Sequence, residues 1–170
     1  IGPLEKLGKT TASLSDSERN SLNIINRNAN RLLDLVNQLL DFNKVESQSM
    51  VVRFSVYNIS NMLHAVAERF ETTFSQNNIK FDVEYPDKHL TAVIDKESIT
   101  KVVSNLLTNA RKYTRDYVRL SCYVTPDDSH FVIEVEDNDM GIDPKDHERI
   151  FRAFYQAADN KPGTGIGLSI

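Results

Sequence analysis

The strongest constraint on the fold is a regular apolar spacing in segment 18–47. Apolar residues recur there at alternating steps of three and four, at Leu22, Ile25, Ala29, Leu32, Val36 and Leu39. Leu33 and Leu40 widen this stripe. The spacing is typical of one continuous helix whose a and d positions bury only against other helices. Ser15 and Glu18 have the spacing of a capping box, so they predict where the helix begins.

The partner of this helix is not evident within the chain. Upstream, Ile1, Leu4 and Leu7 supply only the end of a second helix, with residues 8–15 as the turn between them. That is too little apolar surface to cover so regular a seam. We therefore expect a bundle formed between chains. The alternative is an ordinary amphipathic helix packed on its own domain.

The pattern changes to mixed α and β after a linker over residues 48–56. The predicted elements are helices over 58–77 and 96–113 and strands over 80–85, 91–94, 118–125 and 131–137. Asp95 caps the second helix. Its inward-facing residues are Ile99, Val102, Val103, Leu106 and Leu107. Asp143 and Pro144 open a short helix through Phe154. The predicted fold class is α+β, a helical segment followed by a two-layer α/β sandwich with an antiparallel or mixed sheet.

The composition is typical of a soluble globular protein, with 40% hydrophobic and 26% charged residues. A net charge of −4 argues against a nucleic-acid partner. The single cysteine, Cys122, fits a reducing compartment, and we expect it to be a small packing residue in a strand. No apolar run approaches the ~20 residues that a membrane helix needs. Both ends indicate a piece of a longer chain.

Two asparagines, Asn105 and Asn109, lie one helical turn apart on a mostly apolar face. Buried amides need partners, and Mg2+ bound to a triphosphate is a fitting one because it takes few protein oxygens. Lys112 follows at the helix end, where its ammonium can reach phosphate. The alternative for an isolated asparagine pair is a polar helix surface.

Two turn-rich segments complete a candidate ATP pocket. Asp137 ends a strand, where a carboxylate can accept from an adenine amino group, and Gly141 lets the backbone approach a flat base. Segment 163–167, Gly-Thr-Gly-Ile-Gly, enters a helix and presents backbone N–H groups to phosphate. Lys161 lies in a stretch that we expect to form a flap over the phosphates. The alternatives are a capped turn and a flexible loop.

In this order and spacing, the motifs resemble those of bacterial two-component sensor histidine kinases. The matches to the family's N, G1, F and G2 boxes are residues 105–113, 137–141, 151–154 and 163–167. Segment 1–47 resembles the C-terminal part of the dimerisation and phosphotransfer hairpin, in the style of Bacteroidetes hybrid sensors. The resemblance implies an ATP-binding catalytic domain of the Bergerat type over 57–170, incomplete at its C-terminus.

The resemblance also implies roles for individual residues. Asn109 is implied to be the main Mg2+ ligand with Asn105 beside it, Lys112 to contact phosphate, Tyr113 to line the nucleotide site and Asp137 to bind adenine. The other implied nucleotide-binding residues are Gly141, Phe151, Phe154, Lys161, Gly163, Gly165 and Gly167. Asn105 stands where gyrase-like hydrolases have a water-activating glutamate. An amide is no general base, so Asn105 and Lys112 indicate catalysis of phosphate transfer rather than hydrolysis.

Two departures from the family pattern affect function. Asp139 stands where the G1 box usually has its first glycine, and its charge predicts weakened ATP binding. The family's acceptor segment, of the His-Glu/Asp-x-Arg-x-Pro-Leu type, does not occur and is expected just before Ile1, so we expect no autophosphorylation by this chain alone. We expect His64 to be a packing residue of its helix. The other weak acceptor candidates are His89, His130 and His147.

The sequence therefore predicts the ATP- and Mg2+-dependent kinase core of a sensor histidine kinase, which passes the γ-phosphate to a histidine and then to a response-regulator aspartate. The implied partners are a second copy, through segment 18–47, and a receiver domain. The implied location is the cytoplasmic part of an inner-membrane sensor. One alternative is a degenerate, weakly nucleotide-binding dimeric signalling module, which Asp139 favours. Another is a serine kinase of the anti-sigma class, which the long front helix disfavours.

Overall fold

The long helix α1 (Asp16–Glu46) confirms the prediction for the front of the chain. The computed structural model describes residues 15–47, 51–86, 90–157 and 164–169. The capping box forms as expected, because the Ser15 backbone N–H donates to Glu18 Oε2 at 2.9 Å and the Glu18 N–H donates to Ser15 Oγ at 3.4 Å. The Ser15 hydroxyl also donates to Glu18 and lowers the pKa of its carboxyl. Within the described ranges, no helix combines the length and apolarity that a membrane crossing requires.

The apolar stripe of α1 is open in the described part of the chain. Leu32 is 63% exposed, Val36 is 52% exposed and Ile25 is 50% exposed. The partner segment predicted from Ile1, Leu4 and Leu7, with its turn over 8–15, lies outside the described residues. Exposed apolar area of this extent on one helix face marks an interaction surface rather than a core.

The strands form a mixed arrangement, as the sequence predicts. They are β1 (Ser55–Asn58), β2 (Lys80–Glu84), β3 (Thr91–Ile94), β4 (Tyr117–Val124) and β5 (Phe131–Asp137). β1 and β3 pair antiparallel, while β2, β4 and β5 form a three-stranded sheet in that order. β2 runs parallel to β4, and β4 and β5 form the predicted hairpin. The hairpin register sets Val118 opposite Asp137, so the end of β5 lies beside the start of β4.

Two helices, α2 (Ile59–Gln76) and α3 (Lys96–Tyr113), pack on these strands. Each begins at a capping side chain, and the cap at Asp95 is the one that the sequence predicts. Asn58 accepts from the backbone N–H three residues later at 2.8 Å, and Asp95 does so at 2.9 Å. Caps of this kind satisfy donors that a helix start leaves unpaired. The capped start of α3 fixes the register of the asparagine-bearing turns that follow.

The core fills the space between helices and strands. Its largest fully buried side chains are Phe74, Ile59, Leu63, Leu107, Leu120, Val66, Val103 and Val118. The inward prediction for α3 is confirmed at Val103 and Leu107 and is wrong at Val102, which is 46% exposed. Each residue turns an α-helix by about 100°, so the neighbour of a buried position points elsewhere. Cys122 is buried as predicted, and burial raises the pKa of its thiol.

Strand β1 was not foreseen. It takes in Ser55 and Val56, which the sequence assigns to the linker over 48–56, and it pairs Val56 with Val93. Ordered structure therefore starts before residue 57. The strand has four residues and its first two are exposed, so it lacks the alternation that marks a longer strand.

The segment after β5 also differs from its prediction. Asp143 caps it as expected, because its Oδ1 accepts from the Lys145 N–H at 3.0 Å. The predicted helix through Phe154 is wrong. Two 3₁₀ turns, Pro144–Asp146 and Arg149–Phe151, replace it, and Phe154 adopts a φ of 65°. After these two turns, the positive φ of Phe154 reverses the chain, and the Phe154 N–H bonds to Gly165 in the glycine-rich segment.

Candidate functional site

Helix α3 carries the predicted asparagine pair, and one member contacts the glycine-rich segment. The Asn105 side chain donates from Nδ2 to the carbonyl oxygen of Gly167 at 2.8 Å, across 62 residues of sequence. Asn109 lies one turn further along the same helix and is half-buried, as is Asn105. The structure therefore brings together two motifs that the sequence places far apart.

The C-terminal end of α3 holds Lys112 and Tyr113. The Lys112 ammonium donates to the Tyr113 hydroxyl at 2.7 Å and lies 4.5 Å from the centroid of its ring. An ammonium held against an aromatic ring is positioned without losing its charge. The Lys112 ammonium thus lies at the end of α3, where the sequence predicts a cation, and Tyr113 lies beside it.

Asp137 lies at the end of β5, next to that same helix end. α3 packs against β5, and β5 ends opposite Val118, four residues after the C-terminal cap of the helix at Thr114. Asp137 is exposed, and its Oδ1 accepts from the Asp139 N–H at 3.0 Å. A strand-end carboxylate thus stands beside the lysine-bearing end of α3.

Asn138 ties the two motifs together and was missed by the sequence reasoning. Its Oδ1 accepts from the Thr114 hydroxyl at 2.9 Å and from the Tyr117 N–H at 3.2 Å, and its Nδ2 donates to Asp116 at 2.7 Å. The loop between α3 and β4 is therefore fastened to the residue that follows Asp137. The available signal was an asparagine beside the strand-end aspartate, a residue type that often bonds loop backbone.

The loop after Asp137 requires a glycine at one position only. Gly141 has a φ of 78°, in the left-handed region that favours glycine, whereas Asp139 is outside the positive-φ residues of the described chain. Asp139 is half-buried in a turn closed by its own N–H bond to Asp137. Asp139 thus replaces the first glycine of the family's G1 box without backbone strain. The difference that it introduces is a negative charge.

Gly165 is more tightly packed than Gly167, the other glycine of this segment that the structure describes. It has a φ of 69°, its carbonyl accepts from the Phe154 N–H at 2.8 Å, and an added Cβ would lie 2.6 Å from the Phe154 carbonyl carbon. Among the described residues, no atom lies within 4 Å of the Cβ position on Gly167. The predicted F and G2 boxes therefore meet at Phe154 and Gly165, while the Phe151 and Phe154 side chains are exposed.

Comparison with known proteins bears on the same residues. Residues 94–170 match the family of histidine kinase-, DNA gyrase B- and HSP90-like ATPases. The chain is 33% identical over its whole length to hybrid signal transduction histidine kinase D of Dictyostelium discoideum. It is 31% identical over 98% of its length to sensor histidine kinase WalK of Bacillus subtilis. Residues 94–170 therefore carry a domain of this ATPase family, and the whole chain is homologous to sensor histidine kinases. It spans 12% and 28% of these two relatives.

Solved histidine kinases share the fold. Full-length ShkA in complex with AMPPNP gives a TM-score of 0.78 at 24% identity, covering 94% of this chain and 34% of that one. Histidine kinase ThkA in complex with response regulator protein TrrA gives a TM-score of 0.68 at 22% identity, covering 91% and 45%. The predicted α+β class and the recognition drawn from the four boxes are therefore confirmed, while the Bacteroidetes style stays a prediction.

Helix α1 contacts the candidate site near the C-terminal end of the helix. Thr164 donates from its hydroxyl to Gln38 Oε1 at 2.6 Å. The Phe42 and Phe154 rings meet edge to face, with centroids 5.8 Å apart. Asp41 forms an ion pair with Lys101 of α3. The front helix and the glycine-rich segment are therefore in direct contact.

Three of the predicted positions are not described by the structure, and one predicted role is wrong. Lys161, Gly163 and His89 lie outside the described residues. The packing role predicted for His64 is wrong, because its ring is exposed and lies 3.6 Å from Glu68 in an i, i+4 pair. In the described part of the chain, no three His, Cys, Asp or Glu side chains cluster in a way that could hold a metal ion.

Proposed function

We propose that this chain is the ATP-binding kinase core of a sensor histidine kinase. It transfers the γ-phosphate of ATP to a histidine of the phosphotransfer hairpin, from which the phosphate passes to a response-regulator aspartate. The observation that carries the proposal is the bond between Asn105 and the Gly167 carbonyl. It joins the amide face of α3 to the glycine-rich segment, beside the helix end where Asp137 lies.

The phosphate side of the site suits Mg2+ and a triphosphate. Asn109 and Asn105 would hold Mg2+ through amide oxygens, because Mg2+ prefers oxygen ligands and keeps water and phosphate as the others. When bound, Mg2+ neutralises charge on the phosphates. Lys112 adds a positive charge at the helix end. Gly165 packs where a side chain would collide with backbone, which supports a segment built for close approach.

The base side of the site is assigned to Asp137, with Gly141 in the turn behind it. The Asp137 carboxylate accepts one N–H from its own loop, and its second oxygen is the acceptor that we assign to the adenine amino group. Gly141 is exposed and has a positive φ. Because glycine has no side chain, its backbone is open to the approach of a flat base. Tyr113, at the nearby helix end, is assigned to the wall of the site.

Transfer to a protein side chain fits this chemistry better than hydrolysis. Asn105 is an amide and cannot take a proton from water. The work of the described residues is therefore to position the phosphates and to neutralise charge. The acceptor is proposed to be a histidine outside this chain, because the family's His-Glu/Asp-x-Arg-x-Pro-Leu type segment does not occur in its 170 residues.

A second copy of the chain is the partner that α1 favours. Its exposed stripe, with Leu32 63% exposed and Val36 52% exposed, has the spacing of a helical bundle. A response-regulator receiver domain is the second proposed partner, supported by the TrrA complex of ThkA, which shares the fold. We place this core on the cytoplasmic side of a membrane sensor, where ATP is available and Cys122 stays reduced.

The degenerate-module alternative has one observation in its favour, the Asp139 charge in the G1 turn. Against it stand the intact asparagine pair, Lys112 and the similarity of the whole chain to histidine kinases. The serine-kinase alternative has no support from these relatives. A kinase core with reduced nucleotide affinity accounts for all of these observations.

Calorimetry with AMPPNP, with and without Mg2+, tests the proposal. We expect binding that requires Mg2+ and is reduced at least about tenfold by Asn109→Ala, since a charge-assisted contact is lost. The matched control is Asn28→Ala, the same change at an exposed α1 position. Restoring the upstream histidine segment should then yield acid-labile phosphate. Mg2+-independent binding, or equal effects of the two variants, would contradict the proposal.

A further inference from the structure

The buried carboxylate of Asp146 lies outside the four boxes. It bonds to Tyr155, and the glycine-rich segment packs on the backbone of Tyr155. Asp146 is 5% exposed. Its Oδ1 accepts from the Tyr155 hydroxyl at 2.6 Å and lies 3.5 Å from Arg149 Nη1. The Arg149 guanidinium also lies 4.5 Å from the centroid of the Tyr155 ring. We call these three residues the 146/149/155 cluster.

Burying a carboxylate is costly unless hydrogen bonds and a cation offset the lost solvation. The 146/149/155 cluster supplies both, and the bond from Tyr155 to Asp146 raises the pKa of the tyrosine hydroxyl. Such a cluster fixes its members in one arrangement. The segment that it fixes, around Tyr155, has no regular secondary structure of its own.

Tyr155 is one end of a continuous set of contacts that reaches helix α3. The Cβ position of Gly165 lies 2.7 Å from the Tyr155 carbonyl oxygen, and the Gly165 carbonyl accepts from Phe154. Two residues on, the Gly167 carbonyl accepts from Asn105. The glycine-rich segment is therefore held from one side by residues 154–155 and from the other by α3.

We propose that Asp146 is a positioning residue for nucleotide binding, which acts through Tyr155 to set where residues 165–167 lie against α3. It touches neither substrate nor metal in this account. The proposal rests on the proposed function, because it assigns the phosphates to that segment. It also predicts selectivity: the cluster supports the phosphate side, whereas Asp137, which binds the base, is held by a separate loop.

The test compares two ligands on the full 170-residue chain. Tyr155→Phe keeps the ring under Arg149 and removes the hydroxyl. We expect its affinity for Mg2+-AMPPNP to fall about tenfold, the loss typical of a hydrogen bond to a charged group. Its affinity for adenosine, followed by NMR titration, should stay within about twofold, because the base contacts are intact. Tyr123→Phe, the same change on an exposed strand residue, is the control.

Variants of Asp146 sharpen the assignment. Asp146→Asn keeps an acceptor oxygen, so it should lose less AMPPNP affinity than Asp146→Ala. Asp146→Ala and Tyr155→Phe remove the same hydrogen bond. The double variant should therefore bind AMPPNP no more weakly than Asp146→Ala alone. In nucleotide-free protein, Tyr155→Phe should move the amide resonances of Gly165 and Gly167, and Tyr123→Phe should not.

The outcomes separate the two proposals. If the unaltered chain fails to bind AMPPNP, the proposed function fails, and the nucleotide role of the cluster fails with it. If the unaltered chain binds AMPPNP normally, equal losses for AMPPNP and adenosine in Tyr155→Phe would overturn the cluster's role alone. Unchanged Gly165 and Gly167 resonances would do the same.

Discussion

The two sides of the proposed nucleotide site are built in different ways. The phosphate side depends on long-range contacts, since Asn105 reaches Gly167 across 62 residues and Gly165 packs on the backbone of Phe154. At Asp137 itself the base side is local, because this carboxylate accepts from Asp139 two residues away and is exposed. A change at Gly165 should therefore affect folding and binding together, whereas a change at Asp137 should affect binding alone.

The largest expected effect is that of Gly165→Ala. Its Cβ would collide with backbone, and its φ of 69° is strained for alanine. We expect a loss of about 1–3 kcal/mol in the free energy of unfolding and a loss of most AMPPNP binding. In the part of the chain that the structure describes, the new Cβ of Gly167→Ala has no neighbour within 4 Å, so this variant should leave the free energy of unfolding unchanged. Urea denaturation of both variants without nucleotide checks this, and equal stabilities would break the comparison.

Asp137→Ala should come next in size. We expect AMPPNP affinity to fall about tenfold or more, because one accepted hydrogen bond to the base is lost. The residue is exposed, so the free energy of unfolding should change by less than about 0.5 kcal/mol. Calorimetry and denaturation on the same sample measure both quantities. A destabilisation as large as that of Gly165→Ala would show that the base side is not local.

The effect of Asp139 should be smaller and purely electrostatic. Because Asp139 has no left-handed backbone, Asp139→Asn should raise AMPPNP affinity as much as Asp139→Gly, by roughly threefold for one removed charge near the phosphates. Added salt should shrink the gain, although less than for a fully exposed charge, because Asp139 is half-buried. Calorimetry at two salt concentrations measures both effects. A gain seen only with glycine would mean that the turn itself is strained.

The smallest effect on nucleotide binding is expected at Asp95, which caps the N-terminal end of α3. Backbone hydrogen bonds from Ser98 and Arg53 lower the pKa of the Asp95 carboxyl below its usual range. A lowered folded-state pKa contributes stability above the unfolded value, and that stability is lost as pH falls through the folded value. Asp95→Asn should therefore flatten the acid side of the stability profile without altering AMPPNP affinity. A change in affinity would extend the site along the whole helix.

Local signals accounted for most of the fold. The capping box at Ser15, the cap at Asp95 and the hairpin between β4 and β5 each depend on residues close in sequence, and each formed as predicted. Strand β1 was missed because four residues with two exposed at their start carry almost no periodic signal. The helix through Phe154 failed because a cap and proline predict where a helix begins, not where it ends.

The site was predicted in its residues but not in its contacts. The motif spacing named Asn105, Asp137 and the glycine-rich segment, yet no spacing states that Asn105 bonds the Gly167 carbonyl. Asn138 and Asp146 were missed because an isolated asparagine or aspartate looks like a surface residue in sequence. Only the fold shows that one fastens a loop and that the other is buried.

The central claim is that the amide face of α3, the strand-end aspartate and the glycine-rich segment form one nucleotide site. An NMR titration of the chain with Mg2+-AMPPNP tests it most directly. The account predicts that the amide resonances of Asn109, Asp137 and Gly165 shift along curves with one dissociation constant. Resonances at any of the three that stay fixed at saturation, or that follow a different constant, would contradict a single site.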